Sequence, residues 1–160
     1  MIYSPARDIA DSHDWEHGDL GSGRAAWRIE AIGQLERHAV NRATLSILRL
    51  GIRADNWDGY GSRAADHQSI VRAIAFVGWA IEIAADEALQ WIEPHAGLNE
   101  EGHVSLEWWN GPRKLTIYIS LDSFEYVSSW GTNIDTQMDA GEMPLEQFSG
   151  LYRWLNARPD

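Results

Sequence analysis

The fold is decided by residues 102–130, which read GHVSLEWWNGPRKLTIYISLDSFEYVSSW. Apolar side chains recur there at every second position, namely Val104, Leu106, Trp108, Leu115, Ile117, Ile119 and Leu121. This alternation is typical of β-strands with one buried face. Short turns at residues 110–113 and 122–123 separate three such strands, which must therefore run antiparallel. A further short edge strand within residues 131–142 would make the sheet three- to four-stranded.

Two helices are expected before this sheet. Residues 22–50 carry apolar side chains at three- and four-residue steps, and Gly51 stands where a left-handed residue would end a helix. Asp66 can cap a second helix that runs to about Leu89. The segment between them, residues 53–65, is punctuated by glycine and predicts a loop.

A third helix is expected after the sheet, because Pro144 precedes apolar residues at helical spacing and proline is favoured in a first turn. The order helix–helix–sheet–helix predicts an α+β domain whose C-terminal helix packs on one face of the sheet. A chain of 160 residues has the size of one domain, which we assign to residues 24–160. Residues 1–23 lack regularly spaced apolar residues and predict a loosely ordered N-terminal segment.

The composition indicates a cytoplasmic protein. The chain has no cysteine, which excludes disulfides, thiol catalysis and cysteine zinc sites and suits a reducing compartment. Its longest uncharged apolar run, residues 73–81, is far shorter than the ~20 residues that a spanning helix needs. The first twenty residues also lack the basic and apolar regions of a secretion signal. We therefore expect no membrane association.

The net negative charge of the chain comes from one part of it. Residues 1–53 hold seven arginines and seven acidic residues, whereas residues 54–160 hold six basic and 17 acidic residues. The whole net charge of −11 thus falls in the later two-thirds. Phosphate contact needs a cationic surface, so direct nucleic-acid binding is disfavoured. A negative field instead favours either solubility alone or encounter with a basic partner.

Residues 56–61, NWDGYG, form the most distinctive motif. Its two glycines permit positive φ, and Asp58 can accept hydrogen bonds from nearby backbone N–H groups. Trp57 and Tyr60 can anchor the loop on the sheet or on the adjoining helices. One interpretation is a helix–helix connection locked by these two aromatic residues. The other is a ligand-contacting loop in which Asp58 acts as acid or base.

The NWDGYG loop and the later strand GHVSLEW, residues 102–108, together resemble a group of small bacterial proteins of no agreed activity. Many members of that group are carried on phages, plasmids and other mobile elements. The resemblance spans about residues 55–128. The chain departs from the pattern at residues 62–66, SRAAD, where small residues and proline are expected. The resemblance implies a mobile-element context and no particular reaction.

Two carboxylates could form a hydrolase site. Glu107 points away from Leu106 and Trp108 if the strand alternates, and it could pair with Asp58 or Glu125 as in glycosidases. That mechanism needs carboxyl groups roughly 5–9 Å apart, a separation that the sequence does not set. The alternative is a solvated strand face. We therefore assign no catalytic residue.

No metal site or cofactor is expected. His13 and His17 lie four residues apart with acidic residues between them, but they lack the zincin order and apolar support. Phosphate-loop, dinucleotide and serine-nucleophile signatures are missing from the sequence.

Aromatic and acidic residues concentrate in the sheet region. Trp108 and Trp109 cannot both face the core of one alternating strand, so one of them must be exposed. Tryptophan and tyrosine on an acidic surface are typical of interaction hot spots. The expected partner surface comprises Glu100, Glu101, Glu107, Trp109, Asp122, Glu125, Trp130, Asp135 and Asp139, with the loop residues Trp57, Asp58 and Tyr60.

These observations favour a non-enzymatic, acidic protein-interaction module that inhibits a basic partner protein. In a mobile-element context, the partner could be a phage-defence complex of the CRISPR kind, whose nucleic-acid site would be occupied by carboxylates in place of phosphates. Three alternatives stay open: a small hydrolase that uses Asp58 and Glu107, a toxin-neutralising immunity protein, and a self-associating structural protein. An exposed tryptophan edge could form the homodimer that the last of these requires.

Overall fold

The computed structural model describes residues 33, 37–40 and 42–158. Nearly all of them belong to one compact unit, Gln34–Asp160. Within the described residues, the strands are β1 His95–Leu98, β2 Val104–Asn110, β3 Arg113–Ile119, β4 Phe124–Ser129 and β5 Met138–Glu142. The helices are α1 at residues 37–40 and 42–50, α2 His67–Asp86 and α3 Phe148–Asn156, which follows a 3-10 turn at Leu145–Gln147. The predicted α+β class is confirmed.

The sheet has five antiparallel strands in chain order, so the expected count of three to four strands is wrong. β5 lies inside the segment where an edge strand was expected, whereas β1 was missed. β1 is only four residues long, too short for its alternation to be noticed. Its Ala96 pairs with Leu106 and its Leu98 with Val104, which places both side chains on the buried face of the sheet.

The predictions for the N-terminal part of the chain lie outside the described residues. This applies to the loosely ordered segment 1–23, to the beginning of the first helix, and to His13 and His17. The described part of that helix ends at residue 50, as expected. Gly51 does not have a positive φ, however, so the expectation of a left-handed residue at this helix end is wrong.

The core lies between the helices and one face of the sheet, here called the core face. Phe148 and Tyr152 of α3 place their rings 6.1 and 6.4 Å from that of Trp108, and Phe76 of α2 lies 5.3 Å from Phe124. The core-face residues of β2 and β3 are fully buried: Val104, Leu106, Trp108, Leu115, Ile117 and Ile119. The opposite face, here called the open face, carries Trp109, whose side chain is 58% exposed. Trp108 is therefore the core tryptophan of the pair.

Helix α2 packs against α3 and against the strands β2 and β3. By length and composition it could cross a membrane, but eight of its twenty residues are buried in the core. Asp66 caps it as expected, because its Oδ1 accepts a hydrogen bond from the Ser69 N–H at 2.9 Å.

The helix ends at Asp86, before the expected Leu89. Ala88 has a φ of +53°, its N–H donates to the Ala85 carbonyl, and the Leu89 N–H donates to the Ala84 carbonyl at 2.8 Å. These two bonds form a Schellman motif, which is usually closed by glycine. The helix end was predicted too late because an alanine, and not the usual glycine, occupies the left-handed position.

Ser69 links α2 to two strand ends. Its fully buried Oγ donates to the Ile119 carbonyl at 2.5 Å and accepts from the Val104 N–H at 2.8 Å. Because Val104 begins β2 and Ile119 ends β3, one hydroxyl fastens the first turn of the helix to this end of the sheet.

Replacing Ser69 by alanine should lower the free energy of unfolding by about 1–3 kcal/mol, because a buried N–H and a buried carbonyl lose their partner. Urea denaturation measures this change. The neighbouring exposed residue provides the control, since Gln68→Ala should change stability by less than about 0.5 kcal/mol. A Ser69→Ala effect as small as that of the control would contradict the bridging role.

Replacing Ala88 by glycine should raise the free energy of unfolding by about 0.5–1 kcal/mol, because glycine adopts positive φ without a Cβ penalty. Thermal and urea unfolding would both report the gain. Ala85→Gly, at an exposed position inside the same last turn, should instead lower stability by about 0.5–1 kcal/mol. Equal signs for the two variants would contradict the assigned helix end.

Candidate acidic interaction site

The loop between α1 and α2 takes its shape from side-chain oxygens. Asp55 Oδ1 accepts from the Ala64 N–H and Asn56 Oδ1 accepts from the Gly61 N–H, both at 2.7 Å. Asn56, Gly59 and Gly61 all have positive φ. The positive φ expected of the two glycines is thus confirmed, and the loop is closed by its own polar groups.

Asp58 is the central acceptor of this loop. Its Oδ1 accepts from the Tyr60 N–H at 2.9 Å, and its Oδ2 accepts from the Ser62 hydroxyl at 2.5 Å. The Ser62 hydrogen bond, followed by that from Tyr60, lowers the pKa of Asp58 below the ordinary aspartate value of 3.8. A carboxyl group needs a raised pKa to act as a general acid near neutral pH, and a lowered pKa makes its carboxylate a weaker base, so these contacts favour the structural interpretation of Asp58.

The two aromatic residues of the motif behave differently. Trp57 Nε1 donates to the Arg63 carbonyl at 3.2 Å, and the Arg53 guanidinium carbon lies 4.4 Å from the centre of the Trp57 ring. Both partners of Trp57 belong to the loop itself, so these contacts hold the loop together and do not show the expected anchoring on the sheet or the helices. Tyr60 is 95% exposed, so the expectation that it anchors the loop is wrong. The turn around it is closed by the Asp58 carboxylate and needs no contact from the ring.

This loop is bound to the turn between β1 and β2. The Arg63 N–H donates to the Glu100 carbonyl at 2.9 Å, and the Asp66 N–H donates to the Gly102 carbonyl at 2.8 Å. Gly102 has a φ of +83°, and a Cβ at this position would lie 2.1 Å from the Ala64 carbonyl oxygen. Only glycine permits this close approach of the two backbones.

Two shallow depressions of about 480 and 590 Å³ lie where the loop meets this turn, and a third of about 540 Å³ lies between the turn and the neighbouring strands. Glu101 lines all three. We call this region the acidic end, after its carboxylates Asp55, Asp58, Asp66, Glu100, Glu101 and Glu125. The basic side chains that line it are Arg63, His67 and His103, and His103 Nδ1 lies 3.4 Å from Glu101 Oε2. Within the described residues, no cluster of three or more histidines and carboxylates is arranged to hold a metal ion.

The expected partner residues divide between the two ends of the sheet. Those at the acidic end or in the adjoining β3–β4 turn are Glu100, Glu101, Asp122 and Glu125. Those towards the opposite end are Trp109, Trp130, Asp135 and Asp139. Two residues of the second group are engaged locally: Trp130 packs edge-on against Trp154 at 6.1 Å, and Asp139 accepts from the Tyr126 hydroxyl at 2.7 Å.

Glu107 lies on the open face with its Oε1 3.1 Å from Lys114 Nζ. The same ammonium lies 4.6 Å from the centre of the Trp109 ring, so the three side chains form one charge-paired cluster. Asp58 lines one of the three depressions at the acidic end, and Glu107 lines none of the three. The contacts of both carboxylates therefore give the hydrolase alternative no support.

Asp55, Asp66 and His103 belong to the acidic end but were not assigned to the partner surface from the sequence. The pair Glu100 and Glu101 was visible as a short acidic run. The other residues join it only through the docking of the loop on the β1–β2 turn, for which the local sequence pattern gives no signal.

Comparisons with known proteins identify no relative of the chain. A scan against protein-family models finds no match, and no curated protein or solved structure matches it. The resemblance carried by the NWDGYG loop and the GHVSLEW strand stays a prediction. Function must therefore be argued from the surface itself.

Acid should weaken the Asp58 loop only below the ordinary aspartate pKa of 3.8. Because the folded-state pKa is lowered, the ionised carboxylate stabilises the loop above 3.8, and this stabilisation is lost as the pH falls through the folded-state pKa. An NMR titration of the Asp58 carboxyl carbon and the Tyr60 amide should give a midpoint below 3.8. In the Ser62→Ala variant, which lacks the hydroxyl donor, the midpoint should rise towards 3.8. A wild-type midpoint at or above 3.8 would refute the locking role.

Proposed function

We propose that this chain is a cytoplasmic, non-enzymatic protein-interaction module that binds a basic partner through its acidic end. The local charge carries the proposal, since six carboxylates but only one arginine and two histidines line the adjoining depressions. Small-molecule sites are usually concave and mostly apolar. Shallow polar depressions suit contact with the side chains of another protein better.

The negative charge of the acidic end also indicates which kind of partner it can bind. Carboxylates repel phosphate groups, so the acidic end disfavours direct nucleic-acid binding. A protein whose own nucleic-acid site is basic would be attracted, because the carboxylates can occupy positions that phosphates otherwise fill. We therefore extend the proposal to inhibition of a basic complex such as a CRISPR-like phage-defence assembly. A toxin-neutralising immunity protein would use the same surface on a different partner.

Self-association is the second candidate, and one observation favours it. Trp109 is 58% exposed and Met138 is 41% exposed, and both lie on the open face. Two copies that paired through this face would bury both side chains. The same face also carries the exposed carboxylates Glu125 and Glu142, and this negative charge opposes the approach of a second copy. The charge therefore favours a basic partner over a second copy.

Removing three carboxylates from the acidic end should weaken binding to a basic partner. The variant Glu100→Gln/Glu101→Gln/Glu125→Gln should lose about 1.5–3 kcal/mol of binding free energy, or roughly ten- to hundredfold in affinity. Titration calorimetry against an arginine- and lysine-rich peptide measures the loss, and the affinity of the wild type should fall as salt is raised.

The matched control removes the same net charge from exposed positions elsewhere, as Glu82→Gln/Asp86→Asn/Glu146→Gln. It should bind within about threefold of the wild type, because its charges lie outside the proposed contact. Equal losses in the two variants would mean that only the net charge matters, and binding that is indifferent to salt would exclude the electrostatic contact.

A further inference from the structure

The strand β5 is an edge strand whose five residues are all exposed. Within the described residues it pairs only with β4, so its other side presents main-chain N–H and C=O groups without a strand partner. Such an edge is a template for another strand unless proline, charged side chains (especially lysine) or a covering segment protects it. The two charges of β5, Asp139 and Glu142, are both negative and so oppose an acidic strand but not a basic one. The sequence of β5, MDAGE, contains neither proline nor lysine. The other edge strand, β1, is shorter and mostly half-buried.

The hydrogen bonds at the two ends of β5 fix which of its groups face outwards. The Trp130 N–H donates to the Gln137 carbonyl at 3.0 Å, and the Met143 N–H donates to the Phe124 carbonyl at 2.8 Å. Because bonding alternates along an antiparallel ladder, residues 137, 139, 141 and 143 bond to β4. Residues 138, 140 and 142 therefore direct their N–H and C=O groups to the free edge, and their side chains lie on the open face.

One of these outward groups already has a partner. The Ala140 N–H donates to Asp139 Oδ1 at 3.0 Å. An incoming strand could displace this local contact, and the remaining outward groups carry no hydrogen bond within the described residues.

The charge next to this edge is negative and locally unfavourable. Glu142 lies directly opposite Glu125 on β4, and both residues are exposed on the open face. Like charges in such a cross-strand pair destabilise a sheet. Among the described residues, neither carboxylate has a basic group within ion-pair distance. A cationic side chain placed over this pair would relieve the repulsion.

We propose that the β5 edge receives an extended, basic segment of the partner protein as a sixth, antiparallel strand. The inference rests on the proposed function and adds how the partner binds. Main-chain hydrogen bonds to residues 138, 140 and 142 supply sequence-independent affinity. Lysine or arginine at alternate positions of the segment lies on the open face, over the Glu125–Glu142 pair, and supplies specificity.

The test uses the whole chain and a capped twelve-residue peptide of alternating lysine and threonine. Peptide residues that bond to 138, 140 and 142 must carry their side chains on the open face, so they are the lysines. N-methylation of the lysine amides should weaken binding at least about tenfold, whereas N-methylation of the threonine amides should change it less than about threefold. Amide NMR shifts should be largest at residues 138, 140 and 142.

Two single variants of the protein form a matched pair for the same binding experiment. Glu142→Gln should weaken peptide binding about three- to fivefold, whereas Glu82→Gln on the helical side should leave it unchanged within about 1.5-fold. Both variants remove one exposed carboxylate, so a difference between them reports position and not net charge.

Three results would overturn the inference. If the peptide binds, but its shifts map to the acidic end and neither N-methylation matters, the edge is not the site while the proposed function stands. If no basic probe binds even at low salt, the edge site and the proposed function fall together. If the β5 amides shift with protein concentration in the absence of peptide, a second copy of the chain occupies the edge instead.

Discussion

The approach of Gly102 to the α1–α2 loop is the contact on which the acidic end depends. Any Cβ at Gly102 would lie 2.1 Å from the Ala64 carbonyl oxygen, and the Gly102 carbonyl accepts from the Asp66 N–H. Asp66 in turn caps α2 through Ser69. Residues 64–66 thus end the loop, cap the helix α2 and bind the turn between β1 and β2. The loop and turn carboxylates are held close together before any partner arrives, which reduces the ordering cost of binding.

The basic side chains explain why these carboxylates stay uncompensated. Arg113 donates to the Trp154 carbonyl at 2.7 Å and so stabilises the C-terminal end of α3. Arg72 donates to the Leu121 carbonyl at 2.5 Å, and Lys114 is paired with Glu107. Arg153 pairs with Glu87 at 2.8 Å, so four of the six cations of the later two-thirds are used to complete the fold. The negative charge at the acidic end and beside β5 remains available to another molecule.

The sequence predicted those parts of the fold in which a periodic pattern reflects burial. The alternation along β2 and β3 separated Trp108 from Trp109 correctly, because successive side chains of a strand face opposite sides. Strand β1 was missed because its four residues are too few to show a period. The end of α2 was predicted too late because Ala88 takes a position that is usually held by glycine. Asp55 was missed at the site because only long-range docking brings it to Glu101.

The positions of the carboxylates favour a role in binding over a role in solubility alone. Solubility requires net charge but no particular location, and scattered charges repel one another least. Here the carboxylates gather at one end of the sheet, and Glu125 and Glu142 stand directly opposite each other beside an edge strand. Such an arrangement costs stability that a scattered one would not. The repulsion would be removed by one cationic group from outside, which is the contact that a basic strand would bring.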